Sequence, residues 1–463
     1  MKSEFKARLC GEQVLVLATM AVLPLFHSTS IGGPDPFVMA KTLLLGWLIF
    51  LLALLRTIRV FGGGAEPAVG PIRILRWALF CWIAVSALSI LIREYPLHYF
   101  RVSLLQWLLF LWMLLMLSLP SPAGFLSPLL WTAILAGTIV ALIATLQSLW
   151  PEFMMEYLPY EGAAADVRHQ VFATLGNPEH LGGYLAAILV LSFCYLLLAE
   201  RWTIRLLLIF AAAVQIFALI RTGARGAWIG AFAGMSVMIA AQWLQQSRRV
   251  RLRAVAIFGG VIVLGIGLII VFSTANPLNP YRANFLRRIK ELRSPHSESV
   301  RHRIAMLTAG SYMISEHPLL GVGLGHFSRE FYLQLEKMNQ RDETGGIAEY
   351  IDMAQGRIPD HAHNDPLEIW AETGTLGLLC FLFLLSYALA LLLMALRSNS
   401  EQRALAGICL ALIVTILVES LFSFPLHLPV RATLFWAVLI LGARSAIPTS
   451  PSLTETHENS ASA

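Results

Sequence analysis

Long apolar runs separated by short polar or charged breaks recur from one end of the chain to the other. The runs are solidly apolar rather than alternating, so they predict helices and not the strands of a barrel. A hydrocarbon core of about 30 Å takes about 20 apolar residues per helix. Runs of that order lie near 11–30, 37–60, 74–92, 100–119, 127–149, 179–199, 203–221, 225–244, 254–273, 371–396, 403–424 and 430–446. The pattern predicts an all-α integral membrane protein with about 12 transmembrane helices, since lipid-exposed backbone must satisfy its own hydrogen bonds.

Two polar segments, near 150–178 and 274–370, are long enough to hold structure of their own. In the second, Ile304, Leu307, Met313 and Ile314 predict a helix over 303–316, and Phe327, Phe331 and Leu335 another over 327–338. The chain then divides into nine spans within 1–273, a large helical loop over 274–370, three spans within 371–446, and a Ser/Thr-rich tail, 447–463, that reads as disordered.

Charge orients this plan. An even number of spans puts both termini on one side; with that side cytoplasmic, 16 of the 34 Lys and Arg residues fall in cytoplasmic segments and seven in the short loops opposite. The bias fits the positive-inside rule, which leaves the long segment uncounted. The long loop is therefore expected on the outer side of the membrane, in the periplasm or its equivalent. Lys2, Lys6 and Arg8 precede the first apolar run, but Pro24, Phe26 and His27 offer no small-residue cleavage site, so that run is read as a retained helix.

Composition removes several classes. With 57% hydrophobic and 13% charged residues the chain has too much apolar surface for one soluble core. The net charge of +6 sits in short clusters at helix ends, which argues against a nucleic-acid partner. Cys10, Cys81, Cys194, Cys380 and Cys409 lie in or beside apolar runs without CxxC spacing, so neither a disulfide framework nor a zinc site is expected. Gly321, Gly323 and Gly325 follow no strand and precede no Walker-type lysine; they read as turn glycines. Lys41, Arg93 and Arg101 read as helix-end residues whose side chains reach lipid phosphates. The spans are nearly free of charge, Glu419 excepted, and show no repeated halves, which weighs against a transporter or lipid flippase.

The densest polar chemistry lies at 360–379, DHAHNDPLEIWAETGTLGLL, where the long loop re-enters the membrane. Four further pieces stand out: TLGNPEHLGGYLA (174–186), RTGARGAWIGA (221–231), RHRIAML (301–307) and HPLLGVGLGHF (317–327). In this order between spans, the set resembles the O-antigen ligase and polymerase superfamily, membrane glycosyltransferases that take glycans from polyprenyl diphosphates. The resemblance covers roughly 170–380 and implies the following roles. His363, with Asn364, Leu367 and Gly374, matches the family's catalytic histidine pattern. Arg225 matches the arginine of a Ser-Arg-Gly-like turn, with Arg221 flanking it. Arg303 falls on the loop arginine, although Leu307 stands where a tryptophan is usual, and Arg301 is the competing assignment.

The residues suit that chemistry on their own terms. An acceptor hydroxyl must lose a proton and a leaving diphosphate must be stabilised. A histidine serves the first need, and Asp365 and Glu368 are the alternatives for orienting it. Arginine serves the second, because its planar fork pairs with phosphate oxygens at any working pH. The outward segments contain no Asp-x-Asp or Glu-x-Asp pair and Asp35 stands alone, so metal-independent, inverting transfer without a cofactor is expected. His361, His363 and Asp365 form a competing metal-site reading. Arg431 reads equally as a substrate ligand or an interfacial residue, and Asn177 as a helix cap.

The expected donor is an undecaprenyl-diphosphate-linked glycan and the acceptor the lipid A core, within membrane lipids. A missing Arg/Gly pair favours ligase over polymerase, and the short C-terminal end weighs against a protein O-oligosaccharyltransferase.

Overall fold

The computed structural model describes residues 9–28, 36–62, 70–92, 103–120, 122–157, 170–243, 248–272, 298–340, 360–398 and 400–447. The tail beyond 447, Arg93, Arg101, Arg168 and large parts of both loops lie outside them. The described chain is helical: α1 (Gly11–Val22), α2 (Pro36–Phe61), α3 (Gly70–Leu91), α4 (Leu104–Ser118), α5 (Pro122–Leu149), α6 (Pro151–Tyr157), α7 (Pro178–Leu198), α8 (Trp202–Thr222), α9 (Arg225–Trp243), α10 (Arg248–Phe272), α11 (Glu298–Glu316), α12 (Phe327–Gln340), α13 (Asp365–Ala395), α14 (Ser400–Glu419) and α15 (Pro429–Ser445).

Each of the twelve predicted spans falls on a helix, but eight among the described residues are long and apolar enough to cross a membrane: α2, α3, α5, α7, α8, α10, α13 and α14. The other four are shorter or more polar. α1 has 12 residues, α4 has 15 and α15 has 17. α9 has 19, diluted by Arg225, Gln242 and three glycines. The result is a multi-pass helical membrane protein.

α7 and α15 form the interior. Every residue from His180 to Leu197 and from Pro429 to Arg444 is buried. α10 lies at the periphery, with only 6% of its apolar window buried, and Val263 and Ile270 are exposed as lipid-facing residues would be. Lipid tails are as apolar as leucine, so the bundle gains from close packing rather than from hydrophobic burial. Small residues show where it does so. A Cβ on Gly230 would stand 2.6 Å from the Thr415 carbonyl oxygen, which fixes how closely α9 approaches α14.

α11, α12 and the start of α13 share a second, smaller core of Ala305, Met306, Ala309, Met313, Val322, Phe327, Phe331, Ala362 and Ala371. The two predicted loop helices are present. The buried face of α11 differs from the expected one, however. Ile304 and Leu307 are exposed, and the small side chains Ala305 and Ala309 let the helix lie close to α13, where Leu367 packs against Gly310.

α13 is broken at Gly374, whose backbone has φ +67 and ψ −174. The 317–323 turn docks on the break and satisfies the freed groups: the Thr375 N–H donates to Pro318 (2.8 Å), and Val322 and Gly323 donate to the carbonyls of Ala371 (2.8 Å) and Glu372 (2.9 Å). The predicted turn glycines Gly321, Gly323 and Gly325 all have positive φ.

Candidate functional site

The site is built where α13 begins, α14 ends and α7 begins. Asn364 caps α13, its Oδ1 accepting the Leu367 N–H at 2.9 Å, and Pro366 follows in the first turn, where no intrahelical donor is missed. Asp365, Glu368 and Glu372 recur at helical spacing and are all buried, so one acidic face of α13 turns into the bundle.

α14 stops at Glu419, short of the predicted 424, because the polar pair Ser420 and Ser423 and then Pro425 break the run. The turn that follows is tied to α13. The Asp365 N–H donates to the Ser420 carbonyl at 3.0 Å, the Asn364 side-chain amide to the Leu421 carbonyl at 3.3 Å, and the Leu426 N–H to Asp365 Oδ2 at 3.0 Å. These bonds carry Phe424 and His427 into the site.

A closed network results. His427 Nδ1 lies 2.7 Å from Asp365 Oδ1 and its Nε2 lies 3.5 Å from Glu368 Oε1. Glu368 Oε1 is 2.6 Å from His361 Nδ1, while Oε2 accepts the Ala362 N–H at 2.8 Å. Burial alone would push His427 down, but the Glu368 and Asp365 carboxylates outweigh it and hold the imidazole up at about 10. His427 is thus an imidazolium at neutral pH.

Among the described residues, His361, Glu368 and His427 each bring one donor atom within 4.8 Å of the others, and this is the set that a divalent ion could share, in place of His361, His363 and Asp365. Donors around a tetrahedral zinc ion at about 2.0–2.1 Å would stand about 3.3 Å apart. The 2.6 Å between His361 and Glu368 is instead the length of a charge-assisted hydrogen bond. The arrangement as it stands is held by protons.

His363 lies beside this network and differs from it. Its backbone is left-handed, φ +51, a conformation sparsely used by residues other than glycine and associated with functional positions. Its side chain is 25% exposed. Nδ1 is 3.6 Å from Glu179 Oε2, and its ring meets Phe424 edge-on at 4.9 Å and His302 at 6.0 Å. The ring of His361 stacks on Phe424 at 4.4 Å, so one aromatic side chain separates the two histidines. Burial holds His363 below the ordinary histidine value; Glu179 opposes that effect and the Arg303 guanidinium adds to it. His302, half-buried and facing His363 and Arg303, is held at about 4 by partial burial and those neighbours. The sequence pointed to Asp365 or Glu368 as the acid beside His363; both are engaged elsewhere, and Glu179 takes that position.

The expected substrate-binding residues separate into three groups. Arg303 stands near enough for its charge to act on His363. Arg225 opens α9 half-buried. Its neighbour Ala224 packs against Gly182 near the start of α7, and its neighbour Gly226 against Phe422, so Arg225 belongs to the same end of the bundle. Asn364 acts locally as the cap of α13.

Arg221 and Arg431 are deep. Arg221 is 2% exposed and its Nε donates to Ser148 Oγ at 2.8 Å, beneath the turn at 222–224. Arg431 is also 2% exposed, paired with Glu419 at 2.5 Å and with Ser423 Oγ at 3.2 Å. A Cβ on Gly183 would fall 1.6 Å from its Nη1, so that glycine makes room for the ion pair. Lys41, read from sequence as lipid-facing, is buried; its Nζ donates to the Thr174 carbonyl at 2.7 Å.

Sequence reasoning missed Glu179, Phe424 and His427. The signal for the first was present in Asn177-Pro178-Glu179-His180. Asn177 does cap α7, accepting the Glu179 N–H at 2.8 Å, and the next acidic residue faces the site.

A set of buried and half-buried His, Arg and carboxylate side chains at one end of an apolar helix bundle defines a membrane protein with a polar cluster at the bundle's edge. Residues 210–382 match the family model described as O-antigen ligase, a stretch that takes in Arg221, Arg225, Arg303, His361, His363 and Glu368. Over that stretch the chain is similar to the O-antigen ligase family, which supports the resemblance read from the sequence. Comparison with curated proteins finds no match to the chain.

Proposed function

We propose that this protein is a glycosyltransferase that moves a glycan from undecaprenyl diphosphate to the lipid A core, at the periplasmic face of the bacterial inner membrane. His363 takes the proton of the acceptor hydroxyl, and Arg303 with Arg225 holds the diphosphate as it leaves. The observation that carries the reading is the partly exposed His363 beside Glu179 and within the field of Arg303, inside the stretch that matches the O-antigen ligase family. Single displacement at the anomeric carbon inverts its configuration. The arginines take the electrostatic role that a divalent ion serves in other transferases. The distribution of Lys and Arg supports cytoplasmic termini and a periplasmic site.

A second reading has its own support: His361, held by Glu368 at 2.6 Å, has the geometry of a carboxylate-oriented base. The test is transfer by purified protein in chelator, from undecaprenyl-diphosphate-linked oligosaccharide to lipid A core. Loss in both His363→Ala and Arg225→Ala is expected. Elongated lipid-linked glycan without a core product would make the protein a polymerase, and transfer only to an added protein would make it an O-oligosaccharyltransferase. Full activity in His363→Ala with loss in His361→Ala would move the base to His361.

A further inference from the structure

Glu179 stands in the second position of α7, placed there by the Asn177 cap and by Pro178, whose fixed φ suits a helix's first turn. Its carboxylate is 48% exposed and lies 3.6 Å from His363 Nδ1. The two acids nearest in sequence are committed: Asp365 to His427 and the Leu426 N–H, Glu368 to His361 and the Ala362 N–H. Among the described residues, the other groups that bear on His363 are Arg303, His302, His361, His180 and Phe424, none of which offers a carboxylate.

An imidazole acts as a base through one nitrogen only when the other is protonated and held. We infer that Glu179 is the positioning residue for His363, accepting its Nδ1–H and leaving the Nε2 lone pair to face the acceptor hydroxyl. This rests on His363 being the base. At 3.6 Å the pair is looser than a hydrogen bond, and catalytic contacts of this kind tighten when substrate binds. In the step itself the acceptor O–H proton passes to Nε2 as the acceptor oxygen bonds to the anomeric carbon. The bond from that carbon to the phosphate oxygen breaks, and its electron pair leaves with the diphosphate. Glu179 then faces the imidazolium. Asn177-Pro178-Glu179 thereby gains a role beyond capping, since the same turn that starts α7 delivers the acid.

Two measurements test this on the full-length protein. The first is turnover of undecaprenyl-diphosphate-linked oligosaccharide, read as undecaprenyl diphosphate released, with lipid A core and further lipid-linked oligosaccharide both supplied as acceptors. Glu179→Gln is expected to lower kcat roughly ten- to hundredfold, with KM within about twofold and Glu179→Asp recovering part of the loss. In a His363→Ala background the same substitution should cost nothing more. Unchanged kcat in Glu179→Gln, or an additive loss in the double variant, overturns the proposal while leaving His363 as the base. Full activity in His363→Ala overturns the base itself.

The second measurement needs no substrate. In nitrogen-15 histidine spectra of the protein in bilayers, the signal removed by His363→Gln should be an Nδ1-protonated tautomer that changes in Glu179→Gln. An Nε2-protonated signal in the wild type contradicts the assignment.

Discussion

Two histidine–carboxylate groups sit a single phenylalanine apart and behave in opposite ways. Around His427, each carboxylate oxygen of Asp365 and Glu368 meets a backbone N–H or a ring nitrogen, and all three side chains are at most 5% exposed. Around His363 the side chain is a quarter exposed, its carboxylate neighbour is 3.6 Å away and half exposed, and the backbone is left-handed. The first group is complete without a substrate, and its bonds join α13 to the turn after α14. The second is open to one. Polar groups buried in a bundle are costly unless paired, which the first group satisfies; on the proposed function, the looser and more exposed pair is the one that meets substrate.

The comparison can be broken from either side. The largest effect is expected at the open group: His363→Ala should lower turnover on the order of 10²- to 10⁴-fold while the thermal unfolding midpoint stays near wild type. At the closed group the loss should appear as stability. Asp365→Ala leaves His427 charged and buried against one partner fewer, and removing one member of a buried pair costs about 3–5 kcal/mol. Its check is the unfolding midpoint in detergent.

The same group predicts a pH dependence. His427 is raised from its ordinary value to about 10, so its contribution to stability is fully present below about 6.5 and is lost as pH rises through about 10. The unfolding midpoint should fall across that window, and His427→Gln should flatten the fall. The smallest effect is expected from Arg303→Ala, which should raise KM for the lipid diphosphate by about tenfold or more through loss of charge-assisted bonds, with little change in folding. A turnover titration against donor measures it, and an unchanged KM would remove Arg303 from the donor site.

Much of this was legible before the fold was known. Apolar runs located the helices, and the 360–379 stretch located much of the polar cluster around His361, His363, Asp365 and Glu368. Asp365, Glu368 and Glu372 show their common helical face by spacing alone. Distant pairings were not legible: the partner of Asp365 is His427, 62 residues on, behind a turn whose early start depends on Pro425 and two buried serines. The burial of Lys41, Arg221 and Arg431 was hidden for a related reason. A cation at a predicted helix end looks interfacial unless its partner is known, and the partners are a carbonyl, a serine and a glutamate on other elements. The Gly374 break was also hidden inside a continuous apolar run, because it is stabilised by the turn at 317–323 rather than by its own sequence.

The most direct measurement puts His363→Ala and Asp365→Ala side by side, reading glycan transfer and thermal unfolding on the same purified preparations. The account predicts that His363→Ala keeps its unfolding midpoint and loses transfer, whereas Asp365→Ala loses its midpoint first. Transfer at the wild-type rate by a well-folded His363→Ala protein would contradict it.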